Sequence, residues 1–247
     1  MTKAGPTEST VTNAPAPGQA PAPRPDVDLR GRISSPLMSQ GPRPLCVPIS
    51  LSHAHDALGG SGPSVDTAKA PEAIWWHCAQ RGQTHPDGMD LNHAGDALAG
   101  SGQPPLSEWP WNPNLGYGTE DPPATTGAPP WQQARTLTFE PSHDGVEHRI
   151  EDALAAGYPV VLVVEVTHEF ENPAPDGSID VPDIRSPAGD YHAVLVVGCA
   201  TDPVMGRRLL IRNSWSEAWG AAGYGWLPLD YLVANAVQAA VVVTQRP

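Results

Sequence analysis

The chain has 247 residues and a formal net charge of −13, with 30 prolines and 24 glycines, nearly double their roughly 12% share of average proteins. Apolar runs at 159–166 and 192–197 need burial and exclude a wholly disordered chain; three cysteines exclude a disulfide scaffold, and no apolar stretch approaches the ~20 residues of a membrane span. With only two lysines, Lys3 and Lys69, the chain lacks the basic footprint that nucleic acid or an anionic membrane requires.

Residues 1–25 hold six prolines and almost nothing large and apolar, so a disordered or polyproline-like tail is expected there. The segment has no apolar h-region, so it does not read as a secretory signal. A cytoplasmic location is the expectation, and three cysteines without framework spacing suit a reducing compartment.

The globular part, 26–247, begins with helices. In 46–58, Val47, Leu51, Ala54 and Leu58 recur at helical spacing on one face, and Gly59-Gly60 stops the helix. Pro71 opens a second helix that Gly82 closes, and Asp90 is placed to cap a third ending near Gly100. Residues 51–62 and 91–102 agree at nine of twelve positions, which reads as two helix ends built alike. Residues 103–131 form a long connection with eight prolines and Trp109, Trp111 and Trp131; such a loop is functional or crosses between lobes.

The second half reads as strands at 159–167, 191–199, 208–213, 223–227 and 238–244, the first apolar on both faces and central. One helix precedes them, with capping-box spacing Asp144-x-x-Glu147 and apolar Val146, Ile150 and Leu154. Helices before strands imply an α+β fold in two lobes, a helical one over about 26–130 and a strand-rich one over about 131–247.

Cys46 begins a helix, where unpaired N–H groups and the helix dipole stabilise a thiolate. Cys78 lies mid-helix and Cys199 at a strand end, positions of core thiols. A thiol nucleophile needs a base, and the base an orienter. His192 opens the strand HAVLVVGC, Asn213 closes the strand LLIRN, and the turn 201–206 folds the two into a hairpin that brings them together. Gln40, six residues before Cys46, can supply a side-chain N–H beside the Cys46 backbone N–H as an oxyanion hole.

These residues carry a resemblance. The segment Gln40-Gly41-Pro42-Arg43-Pro44-Leu45-Cys46 resembles the oxyanion and nucleophile segment of papain-like cysteine peptidases. Tyr191-His192-Ala193-Val194 resembles their histidine strand. Ile211-Arg212-Asn213-Ser214-Trp215, then Trp219-Gly220 and Gly223-Tyr224-Gly225, resembles their Asn-Ser-Trp segment and the strand after it. The 146-residue separation of Cys46 and His192 fits the family's spacing of about 130–150. The likeness covers roughly 26–232 and is closest to the compact bacterial branch, through Asp28-Leu29-Arg30. Three positions depart: in Leu45-Cys46-Val47-Pro48, Leu45 stands where the family has a small residue and Val47 where it has tryptophan, and Ser216 stands where it has glycine. About 30 residues precede the catalytic segment, so no inhibitory prodomain is expected.

The resemblance implies a papain-like fold, a helical lobe and a β-barrel-like lobe with the cleft between them. It implies a Cys46 thiolate, His192 as base and acid, Asn213 as orienter, Gln40 in the oxyanion hole and Trp215 shielding the Asn213–His192 bond. The implied partner is a peptide or protein substrate, with a regulatory protein partner open. No cofactor is implied: no CxxC or HExxH spacing occurs, and His53 and His55, two apart on a helix, do not share a face. His53, His55, His93 and His143 read as surface or helix-face residues, and Glu169 and Glu171 as solvated loop charges. Two other functions use the same residues: a peptide- or protein-binding module that does not cleave, and an acyltransferase with an amine acceptor.

Overall fold

A computed structural model describes residues 24–59, 67–139, 145–182 and 189–245. Of the expected N-terminal tail only Arg24 and Pro25 fall within them; the predicted Asp144 cap, His143, and Gly60 with the end of the first repeat copy lie outside.

Three helices come first: α1 (Cys46–Asp56), α2 (Pro71–Ala79) and α3 (Leu91–Gly100). Pro48 is accommodated in the first turn of α1, where its missing N–H has no partner to lose. Pro71 opens α2, and Asp90 Oδ1 accepts from the Asn92 N–H at the start of α3. The strands are β1 (Val27–Asp28), β2 (Ala134–Phe139), β3 (Val160–Glu165), β4 (Tyr191–Asp202), β5 (Gly206–Arg212), β6 (Tyr224–Pro228) and β7 (Ala236–Thr244). Between them lie α4 (Val146–Ala155), α5 (His168–Glu171) and α6 (Leu229–Asn235).

The strand pairings among the described residues are antiparallel, in the order β2-β7-β3-β4-β5-β6. β1 adds to β4 through Val27↔Cys199, beyond the last β3 pair, Val160↔Val196. Gly198 makes that approach possible, since a Cβ there would stand 2.4 Å from the Val27 carbonyl. An N-terminal strand thus belongs to the sheet, and the order is not purely helices then strands.

The sheet is not a closed barrel, which corrects the barrel-like expectation. Its ends are β2 and β6. Closure would pair them, but α3 packs against β2, and the chain leaves β6 through α6 and returns to the interior as β7.

Both sheet faces are covered. Val160, Leu162, Val164, Val194 and Val196 join Ile150 and Leu154 of α4 on one face. Val161, Ala193, Leu195 and Val197 join Val47, Leu51 and Ala54 of α1 on the other. Alternate residues of β3 and β4 therefore enter different cores, which is why these strands read as unbroken apolar runs. The helix α1 packs on β3, β4 and β7 on one side and on α2 and α3 on the other. Every residue from Val47 to Asp56 is buried, so α1 has no solvent face, and the expectation that His53 and His55 lie at the surface is corrected. Cys78 and Cys199 are buried, as core thiols should be.

Leu162→Ala should lower stability by about 2–5 kcal/mol, because β3 cannot collapse around the cavity. Leu137→Ala, on the half-exposed outer strand β2, should change it by less than about 0.5 kcal/mol. Urea unfolding measures both, and equal losses would contradict the core assignment.

Candidate active site

The segment that leads to Cys46 is a tight turn feeding a helix. Gly41 takes a positive φ of 56°. The Arg43 N–H then donates to the Gln40 carbonyl at 3.1 Å and the Leu45 N–H to the Arg43 carbonyl at 2.9 Å. Leu45 stands at the N-cap of α1 and its side chain makes no cap bond. Val47, where the resemblance has tryptophan, is buried and packs into the core shared with β4.

β4 and β5 pair as far as Leu195↔Arg212, so Asn213 emerges beside the start of β4. His192 Nε2 lies 2.6 Å from Asn213 Oδ1. The same oxygen accepts the Ser214 backbone N–H at 2.7 Å. A backbone N–H can only donate, which fixes the amide orientation and makes Nε2 of His192 the protonated nitrogen. The lone pair is then on Nδ1. Cys46 and His192 line one cavity of about 410 Å³, walled also by Val47, His85, Met89 and Val163. Sequence reasoning and structure agree that the hairpin joins His192 to Asn213.

Gln40 does not line that cavity. Its Nε2 donates to the Arg43 carbonyl at 3.0 Å, leaving its second hydrogen, and its Oε1 accepts from Ser214 Oγ at 2.6 Å. The Gln40 N–H donates to the Ser214 carbonyl at 2.8 Å, and Ser39 bridges to Trp215. Ser214 therefore ties Gln40 to Asn213. The sequence marked it only as part of a motif.

An aromatic wall backs the imidazole. Trp215 lies on His192 with ring centroids 4.6 Å apart, tilted 34°. Phe170 meets His192 edge-on at 6.0 Å and Trp215 at 5.5 Å. Phe170 comes from α5, capped by Thr167 Oγ1, in a segment expected to be a loop of solvated charges. One apolar residue, one of two phenylalanines in the chain, was the missed signal there. Ser216 accepts a left-handed φ of 76°, which costs about 1–2 kcal/mol without glycine, and its Oγ accepts from the Ala218 N–H at 3.3 Å.

Burial pushes the Cys46 thiol up, against nearby backbone N–H groups led by Ala193 that pull it down. Burial lowers His192 to about 4, against the Asn213 bond. Both effects favour the neutral pair. Among the described residues no group of three His, Cys, Asp or Glu side chains could hold a metal ion, and no helix is long and apolar enough to cross a membrane.

The model of the papain family of cysteine proteases matches residues 117–241, half of the chain, and the chain belongs to that family. The match takes in His192, Asn213 and Trp215 and ends short of Gln40 and Cys46. Cathepsin L of Sarcophaga peregrina is 33% identical over 81 residues, covering 33% of this chain and 24% of that protein. An uncharacterized peptidase C1-like protein, L477, of Acanthamoeba polyphaga mimivirus is 30% identical over 91 residues, 36% of this chain and 28% of that one. The chain thus spans about a quarter of the length of these curated relatives. In fold it is similar to xylellain, a cysteine protease from Xylella fastidiosa, at a TM-score of 0.67 and 24% identity, covering 90% of this chain and 87% of that one.

Stability should fall in acid. Unfolded imidazoles titrate near 6.5, whereas burial lowers His55 and His192 to about 4 and holds His53 well below the ordinary value. As pH drops from about 6.5 to about 4, the unfolded chain gains protons that the folded chain excludes, so folding weakens. Asp56, raised by burial to about 7, acts oppositely, contributing stability at low pH that is lost as pH rises through about 7. Three imidazoles outweigh one carboxyl, so the urea midpoint should decrease over that acid range; a flat or rising midpoint would contradict this.

Proposed function

We propose that the protein is a cysteine peptidase in which Cys46 is the nucleophile, His192 the base and acid, Asn213 the orienter and Gln40 an oxyanion-hole donor. The observation that carries the reading is the His192 Nε2–Asn213 Oδ1 bond, which leaves the Nδ1 lone pair for a thiol on the same cavity.

In this mechanism the Cys46 sulfur attacks a peptide carbonyl carbon as its proton passes to His192 Nδ1. The carbonyl oxygen becomes an oxyanion, held by the Cys46 backbone N–H and the second hydrogen of Gln40 Nε2. The C–N bond breaks as His192 gives its proton to the leaving amine. Water then attacks the thioester carbon as His192 takes its proton; the C–S bond breaks, the acid leaves, and His192 returns the proton to the sulfur. Trp215 and Phe170 cover the Asn213–His192 bond, and a bond kept from water is stronger. The imidazole that burial keeps neutral above about pH 4 can act as a base at neutral pH.

A second depression of about 420 Å³ flanks Trp215, beside Asn172, Pro173 and Trp219. The two hollows support an extended peptide or protein as substrate. Three free thiols fit work in a reducing, cytoplasmic setting.

The test is an unbiased peptide library, with Cys46→Ala and Asn213→Ala as controls. Cleavage should vanish in Cys46→Ala, and kcat should fall about 10-fold to 100-fold in Asn213→Ala as the imidazole loses its orientation. Tight peptide binding with no cleavage would favour the binding module, and product formed only with an added amine would favour acyl transfer. Iodoacetamide should label Cys46 faster than Cys78 or Cys199, and His192→Ala should abolish that preference. The acid limb of kcat/KM should lie near pH 4, where His192 protonates, rather than near the ordinary value of about 6.5.

A further inference from the structure

Resting on the peptidase reading, we propose that Arg43 is a positioning residue that sets the Gln40 amide, one donor of the oxyanion hole, by fixing the turn that follows Gln40. Arg43 is fully buried, as is its partner Glu72 at the start of α2. All five guanidinium N–H donors have acceptors. Nη1 donates to Glu72 Oε1 and to the Asn112 carbonyl at 2.7 Å. Nη2 donates to Glu72 Oε2 at 3.1 Å and to the Gly118 carbonyl at 3.3 Å, and Nε to the Gly116 carbonyl at 3.1 Å. The Trp111 ring lies 4.7 Å from the guanidinium carbon. The Pro- and Trp-rich connection thus wraps one arginine, and Glu72 Oε1 also accepts the Asn112 N–H at 3.2 Å.

The backbone of Arg43 completes the link. Its N–H donates to the Gln40 carbonyl, and its carbonyl accepts from Gln40 Nε2 and from the Leu45 N–H. Whatever holds the Arg43 side chain therefore holds the Gln40 amide. A buried ion pair is no general source of stability, since apolar residues of similar volume often serve as well. What this one supplies is direction: a planar fork with five donors fixes three carbonyls and a carboxylate at once. Lysine, a point charge with three donors, cannot satisfy that set.

The experiment is a double-mutant cycle of Gln40→Ala and Arg43→Lys, read as kcat, KM and the rate of Cys46 alkylation by iodoacetamide. Alkylation forms no oxyanion, so it reports the thiol without the hole. Arg43→Lys should lower kcat about 10-fold or more, with KM and alkylation changed less than about twofold. In the Gln40→Ala background its further effect on kcat should be under about twofold, because the group it positions is gone. Multiplying losses in the double variant, or alkylation falling in step with kcat, would overturn the proposal. Should Arg43→Lys not fold, Glu72→Gln keeps an oxygen acceptor, removes the charge and runs the same cycle with the same two outcomes. Absence of cleavage by the unmodified protein would overturn the peptidase reading and this inference with it; cleavage with a multiplicative cycle overturns this inference alone.

Discussion

An imidazole offers two nitrogens, and the Asn213 amide oxygen decides which of them carries the proton in His192. That oxygen accepts from His192 Nε2 at 2.6 Å and from the Ser214 N–H at 2.7 Å. The second bond matters because a backbone donor cannot reverse its role, so the amide is locked and the imidazole tautomer with it. The rest of the site depends on this short chain of fixed donors. Ser214 passes it to Gln40 through its hydroxyl, and Gln40 passes it to Arg43 through its amide nitrogen.

The helical part and the sheet are joined by an apolar core and a polar seam. The core between α1 and β3–β4 holds the helix that carries Cys46 at a set height over the sheet that carries His192. Apolar contact alone leaves sliding possible, because it has no direction. The seam supplies direction. Arg212 donates to the Ser35 carbonyl and the Tyr224 hydroxyl, both at 2.8 Å, and Ser35 in turn donates from its N–H to Asp56 at 3.1 Å. Ser50 of α1 donates to the Ala193 carbonyl, next to His192, at 3.2 Å.

A chain of net charge −13 with few bases has every electrostatic reason to hold them at the surface. Instead Arg43, Arg208 and Arg212 are buried. Each binds backbone carbonyls at places where loops meet the sheet or the helices. Arginine suits this role because it stays charged and its donors lie in a fixed plane. Cross-links by disulfide are absent among three free thiols, and such forks restrain the loops by directional bonds.

Much of the site was legible in the chain itself. Cys46 after a turn, and His192 and Asn213 on strands joined by a short connection, are local patterns, and local patterns survive without knowledge of the rest. The central strands were legible because their apolar runs leave no other place for them. Other features depend on what lies opposite in space. The two-residue β1 has no periodicity to read, and β2 lacks a clean alternation because much of it is exposed. Phe170 joined the imidazole wall from a segment whose charges suggested a loop, and His53 and His55 became interior residues only because α1 is enclosed on both sides. The open sheet followed from α6 returning the chain to β7 instead of letting β6 meet β2. Residue order thus determined the chemistry on offer and the elements that carry it. Burial, register and the Arg43 fork were decided by tertiary packing, since each is a relation between segments far apart in sequence.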